Sequence, residues 1–377
     1  MTGIAITTYR CPRVAGLLRF AGLLLGLILL AGPAGAERDV DDIEELIPHR
    51  ETALERYRLL ANGGRPVDAL LFQAQPPPAA PVRNCAEWDP VTGVLIRYPI
   101  GLPYALLRDL DDDVTLHVVV DSSFFAAAQI YFVTNGVDTS MVQWLVKANN
   151  SIWTRDYGPW FIFDGDGTQG IVDPIYNRPR PLDDVIPTTI GGLWSIPVYG
   201  MPIAIPGGNY MCDGRGIGMS TRLVLDENPS LTTVEVDSIM RDYTGIERYE
   251  HFDYVQIGGI HHLDCWAKLL SPSKILIEEV PPSHSDYART EANVAYVSSI
   301  TNCYGRPYEI VRVYTPNNEP YTNSLIVNDK VYVPQYGTSW DDDAIASYQA
   351  AMPGYEVLGY TGSWLSDDAI HCRAMGV

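Results

Sequence analysis

Two short stretches hold the residues with the most chemistry in them. In GGIHHLDCWAKLL, residues 258–270, a strand reading puts His262 and Asp264 on one face and His261, Leu263 and Cys265 on the other. A histidine and a carboxylate two residues apart can offer an acid-base group and an anion to one ligand. His261, His262, Asp264 and Cys265 are also all possible zinc ligands, but the period of two splits them between faces, and a hydrogen-bonded structural pair is the plainest account. Near the chain end, in SDDAIHCRAMGV, stands Cys372. A free thiol is only a few per cent thiolate at neutral pH, so a nucleophilic cysteine needs a nearby cation or base. His371 is its neighbour, yet side chains of adjacent extended residues face apart, so a histidine from elsewhere would serve better. The plainer alternative is a buried apolar cysteine or half of a disulfide.

Two further segments carry charge in unusual settings. SIWTRDYGPW, residues 151–160, sets Arg155 beside Asp156 among aromatic residues. Read as strand, the two side chains diverge, which leaves Asp156 free for a ligand and sends Arg155 towards an acid on the opposite face. In IVDPIYNRPRPLDD, Arg178 and Arg180 flank Pro179, and an extended backbone aims both guanidiniums to one side. Two such forks suit a carboxylate or phosphate, and surface pairing with Asp183 and Asp184 is the bland alternative. Asp164-Gly165-Asp166-Gly167 lacks the later Glu of a calcium loop and reads as a hairpin turn; Gly207-Gly208-Asn209 reads as a tight turn.

These residues need a scaffold. The chain has 377 residues, 46% of them hydrophobic, enough for a sizeable core. Arg10, Arg13 and Arg19 precede the apolar run AGLLLGLILLAG, with Ala34-Gly35-Ala36 where a signal peptidase would cut, so residues 1–36 read as a leader and the protein as secreted or periplasmic. Losing three Arg and no acid shifts the net charge from −20 to −23. Such a surface repels nucleic acid and anionic membranes and attracts cations, or simply keeps an exported protein soluble. Beyond the leader, Cys85, Cys212, Cys265 and Cys303 could form two disulfides in an oxidising compartment, with Cys372 the fifth cysteine.

Residues 37–81 form an N-terminal segment: a capping box of Thr52 and Glu55 predicts a helix from about Ala53 to Gly63-Gly64, and the link QPPPAAP ends at Pro81. From residue 82 short apolar runs alternate with helical stretches. Strands are expected at VTGVLIRYPI, VTLHVVVDS, GPWFIFDGDG, QGIVDPIY, TRLVLDE, CWAKLLS, SKILIEEV, YEIVRVYTP, SLIVN, KVYVPQYG and YEVLGYTG. Helices are expected at LPYALLRDL, VDSIMRDYTG, ARTEANVAYVSSI and DDDAIASYQAAM. SLIVN, KVYVPQYG, DDDAIASYQAAM and YEVLGY make a ββαβ unit, and comparable units recur about four more times.

Taken in order, WTRDYGPW, YNRPRPLDD, GGNYMCDG, HHLDCW, YTNSLIVN, VPQYG and AIHCRAMG resemble the Porphyromonas-type peptidylarginine deiminase family, relatives of the agmatine deiminases. The resemblance runs from about Val82 to Val377. It implies an α/β fold, a five-bladed α/β propeller (pentein) of ββαβ units around a central active site. It also implies hydrolysis of a guanidinium to a ureido group and ammonia, without a cofactor or metal. By resemblance Cys372 is the nucleophile, His262 the acid-base residue, and Asp156 and Asp264 the carboxylates that hold the guanidinium. Asn323 lies near the nucleophile, Trp153 packs on the arginine stem, and Arg178 and Arg180 meet the substrate backbone. The expected partners are arginine-containing peptides or proteins, preferably with C-terminal arginine; agmatine or another small guanidine is the alternative. Asp368 stands where the family often has a small residue, and an acid there would raise the thiol pKa. A cysteine protease or amidase, or a non-catalytic propeller that binds cationic peptides, are readings of other classes.

Overall fold

The computed structural model describes residues 47–61 and 74–377, so the expected leader lies outside the described residues. Its strands fall into five sheets, three of three strands and two of four. Each sheet begins with an antiparallel pair and continues through a helical crossover to a parallel strand. Leu325–Val327, Lys330–Gln335 and Glu356–Thr361, crossing over through helix Asp341–Ala351, show the pattern as the sequence predicts it. Ala267–Ser271, Lys274–Glu279 and Glu309–Tyr314 repeat it, as do Met211–Cys212, Ile217–Thr221 and Arg248–Phe252. In the fourth sheet Trp160–Phe163, Gln169–Ile175 and Val198–Ala204 repeat it again, with Arg83–Asn84 added at the edge. The fifth is closed by the chain's own end: Met375–Gly376 pairs antiparallel with Gly93–Tyr98, which runs parallel to Thr115–Val120 and then Val142–Val146.

The middle strands Gly93–Tyr98, Gln169–Ile175, Ile217–Thr221, Lys274–Glu279 and Lys330–Gln335 are buried over most of their length, as strands covered on both faces are. Thr115–Val120, TLHVVV, is buried from its second residue on. The helices supply the outer layer. Thr233–Thr244 starts with a full capping box between Thr232 and Glu235 and ends on Gly245, whose φ of 73° is the left-handed cap that glycine adopts without a Cβ penalty. Among the described residues no helix is long and apolar enough to cross a membrane.

Several expectations are corrected here. TRLVLDE is not a strand: the strand ends at Thr221, and Leu223–Asp226 is a single helical turn. The strand reading of SIWTRDYGPW fails as well, because Thr154–Tyr157 is a helical turn. In GGIHHLDCW, Leu263–Cys265 is a 3-10 turn and the strand starts only at Ala267. All five described cysteines are free thiols, so the two disulfides are absent among them; Cys212 Sγ instead donates to the Cys85 carbonyl. The N-terminal helix is present at Ala53–Ala61, with the Thr52 and Glu55 box closed in both directions, and Gly63-Gly64 lies outside the described residues.

Candidate active site

Each sheet hands the chain to the site from the same place, the loop that leaves its last parallel strand. After Val142–Val146 come Trp153 and Asp156; after Val198–Ala204, Gly208; after Arg248–Phe252, His262 and Asp264; after Glu309–Tyr314, Asn323; after Glu356–Thr361, Cys372. Contacts show that these five loops converge. Gly208 N–H donates to Asp156 Oδ1 at 3.2 Å, and His262 Nδ1 lies 3.4 Å from the same oxygen. Cys372 Sγ sits 3.5 Å from Asp264 Oδ2 and receives the Asn323 amide at 3.2 Å. All of these side chains are buried.

Asn323 holds the loop that carries Cys372. Its Oδ1 accepts from the backbone N–H groups of Ala369 and Cys372 at 2.9 and 3.2 Å, while its Nδ2 also reaches the Asp264 carbonyl. The Cys372 thiol is pushed well above its ordinary pKa, first by burial and then by Asp264, Cys265, Asp156 and Asp368. The acid at position 368 therefore acts in the expected direction, but weakly, because Arg373 pairs with it.

The two aspartates behave differently from a simple charge pair. Burial would raise the Asp264 pKa, but a 2.7 Å hydrogen bond with His371 Nδ1 and the nearby His262 outweigh it and lower it. His371 thus serves Asp264 and not Cys372, and its Nε2 lies 3.3 Å from Glu87. Glu87 is held well below its usual range, burial being overcome by Lys268, 2.6 Å away, and by His371. Asp156 is also driven low, His262 and His49 outweighing burial. His262 itself is lowered to about 4, mainly by burial with help from His49 and Arg178, and against the pull of Asp156. Neither ring nitrogen of His262 has a hydrogen-bond partner among the described residues, which is unusual for a fully buried imidazole.

Sequence reasoning expected Asp156 to stand free, and it does not. His49 Nε2 lies 2.5 Å from Asp156 Oδ2, and the His49 ring stacks on Trp153 at 4.2 Å with the planes 10° apart. Among the described residues Arg155 meets no carboxylate directly: it donates to the His371 carbonyl, with Glu87 and Asp264 supplying favourable charge at longer range. Arg178 and Arg180 do point to one side, but towards residues 47–55 and not to Asp183, which caps Asn150 and Ser151. His261 has a φ of 64° and turns away to stack on Tyr254. The four residues of the zinc reading are therefore not assembled. His49, Asp156 and His262 are near enough to share a cation, but the His49 to Asp156 separation is that of a hydrogen bond. Gly208, read from sequence as only a turn residue, proves central: a Cβ there would stand 2.8, 2.9 and 3.0 Å from Asp156, His262 and Asp264.

A family model for Porphyromonas-type peptidyl-arginine deiminase matches residues 83–377. The chain belongs to that family. Among curated relatives, an agmatine deiminase of Medicago truncatula is 23% identical, covering 76% of this chain and 94% of its own. The same fold is found in a candidate arginine deiminase from Porphyromonas gingivalis, with a TM-score of 0.71, 20% identity, and 78% of this chain and 98% of that one covered. It is found also in an agmatine deiminase of Enterococcus faecalis, with a TM-score of 0.67 at 20% identity over 78% and 95%. The chain is accordingly a hydrolase family member that acts on the C–N bonds of guanidino groups.

Proposed function

We propose that this protein hydrolyses the guanidinium of a small guanidino substrate of the agmatine kind to a ureido group and ammonia, through a covalent intermediate on Cys372. The observation that carries it is the convergence of one thiol, two carboxylates of lowered pKa and a histidine beside Asp156 whose ring nitrogens make no hydrogen bond among the described residues, in one buried site. The relatives named agmatine deiminases favour the small substrate. The five sheets, each sending a loop to that site, support a five-bladed arrangement around it.

A guanidinium is resonance-stabilised and permanently charged, so its carbon is a poor electrophile until its N–H groups are held. Asp156 and Asp264 are kept ionised to hold them. Burial first, and their charge after it, keeps Cys372 a thiol at rest. An arriving guanidinium neutralises that field and favours the thiolate exactly when a target is present. The thiolate then bonds to the guanidinium carbon. His262, which has taken the proton that Cys372 gave up, delivers it to one nitrogen, the C–N bond breaks, ammonia leaves and a thiouronium remains. Water, deprotonated by His262, attacks the same carbon, and the C–S bond breaks to give the ureido product and the thiol.

A second reading, peptidyl-arginine with a C-terminal carboxylate, is favoured by Arg178 and Arg180, two buried guanidiniums at the mouth of the site. Agmatine has no carboxylate for them to bind. The deciding measurement is ureido product and ammonia from agmatine, free arginine and peptides with C-terminal or internal arginine. It is run on the parent chain and on His49→Ala, with Cys372→Ala lowering turnover at least ~10³-fold. Higher kcat/KM on agmatine supports the first reading, and higher kcat/KM on the C-terminal peptides replaces it with the second. No product from any substrate with either chain overturns both. Export through residues 1–36 belongs to the same proposal, and processing after Ala36 in a secreting host is its test.

A further inference from the structure

The segment Ile47–Glu55 packs against one side of the site and is bonded to Asp156, Trp153, Arg178 and Arg180. His49 fills the place between Asp156 and Trp153 where a guanidinium and its stem would go. It also stands edge-on to His262, with ring centres 5.2 Å apart. The backbone carbonyls on either side are read one by one: Ile47 accepts from Trp153 Nε1 at 3.1 Å, Pro48 from Arg180 at 2.6 Å, His49 from Arg178 at 3.3 Å and Arg50 from Arg180 at 3.2 Å. Three carboxylate pairs fasten the strap at both sides: Arg178 to Glu51 at 2.6 Å, Arg180 to Glu55 at 2.9 Å, and Arg50 to Asp367 at 2.7 Å.

We infer that residues 47–55 are a built-in pseudosubstrate: His49 occupies the guanidinium slot, Arg178 and Arg180 clamp the segment in place, and the segment must withdraw or be cut away before a substrate enters. Three features require more than incidental packing. Both His49 and Asp156 are buried to about 1% side-chain exposure, so the slot is closed to solvent. Arg180, also at 1%, has Glu55 as its ion-pair partner, so the clamp is a desolvated pair that would be costly to leave half-made. The helix Ala53–Ala61 continues from the strap, and the same Glu55 that closes its capping box holds Arg180, which couples the helix start to the clamp. The segment is covalently part of the chain, so it competes at high effective concentration against any free guanidine. Withdrawal frees Arg178 and Arg180 together with Asp156, and the two arginines then become available to an anionic group on the incoming substrate.

The inference takes its meaning as inhibition from the proposed deiminase chemistry, but its test is independent of turnover. Full-length parent, His49→Ala and Glu51→Ala/Glu55→Ala chains are treated with 2-chloroacetamidine, a guanidinium-shaped alkylating cation, and the rate of Cys372 modification is followed by mass spectrometry. Thermal melting of each chain confirms that it is folded, and Cys372→Ala locates the label. The expected result is faster modification of Cys372 by on the order of tenfold or more in both variants, and a fall in KM for guanidine where turnover is measurable. Equal rates in parent and both folded variants overturn the inference. Faster labelling with no turnover of any guanidine upholds the plug and removes the deiminase reading instead.

Discussion

The Asn323 side chain holds both the sulfur of Cys372 and the loop that carries it. Asn323 accepts two backbone N–H groups of the loop that carries the cysteine and donates to the sulfur itself. Asn323→Ala leaves those two buried donors without an acceptor, at roughly 1–3 kcal/mol each. The expected outcome is a lower melting temperature together with a kcat loss of at least ~10-fold, KM being less affected, and a normal kcat would refute the positioning role. Gly208→Ala tests the slot from the other side, since the new Cβ would crowd Asp156, His262 and Asp264 at 3.0 Å or less. There KM should rise by about tenfold or more, because overpacking of a close-packed site costs about 1–3 kcal/mol; unchanged KM would show that the slot lies elsewhere. Cys372, His262 and Asp264 stood out in the sequence by residue type alone, their roles came only with the family resemblance, and the strand spacing that grouped His262 with Asp264 is a 3-10 turn in the fold. Glu87 was not, since Lys268 and His371, which give it meaning, lie far along the chain. His49 was missed for the same reason: nothing in ELIPHRET marks a histidine that will meet an aspartate 107 residues later.

At the scale of elements, the site hangs on how the fifth sheet is closed. Met375–Gly376 completes it, and around that pair Val377 exchanges bonds with Thr92 and Gly93: its carbonyl accepts from both, and its N–H donates to Gly93. Cys372 lies only three residues before this strand, so closure of the sheet and placement of the Cys372 thiol are coupled. Removing residues 375–377 should cost about 3 kcal/mol from the three bonds of Val377 alone. A melting temperature unchanged by the deletion would contradict that closure, and activity should fall with stability. The ββαβ pattern was readable where strands are β-branched and helices end cleanly, as in Leu325–Thr361. It was unreadable at Val198–Ala204, VYGMPIA, and Arg248–Phe252, RYEHF, where Gly, Pro and polar residues hide strands that pairing alone secures. The two turns at Thr154–Tyr157 and Leu263–Cys265 also escaped, because one turn of helix has no period to detect.

Across the whole molecule, burial has opposite consequences for the two kinds of titrating group, and together they set a stability maximum. His262 is lowered to about 4, so the unfolded chain binds its proton first, and stability falls as the pH drops from about 6.5 to about 4. Glu278 is raised to about 8, chiefly by burial and also by Asp286, against the opposing effects of its Thr290 hydrogen bond and of Arg312. Its folded form holds a proton that the unfolded chain has lost, so its contribution is complete below about 4.5 and disappears as the pH rises through 8. Glu227 and Asp173, both raised to about 7 by burial, add to the same alkaline loss. The melting temperature should therefore pass through a maximum in the mildly acidic range. Glu278→Gln isolates one side of it: a neutral amide of the same shape has nothing to ionise, so the variant should melt several degrees above the parent at pH 8.5 and close to it at pH 5. A constant difference at the two pH values would show that Glu278 is ionised within the fold, compensated by Arg312.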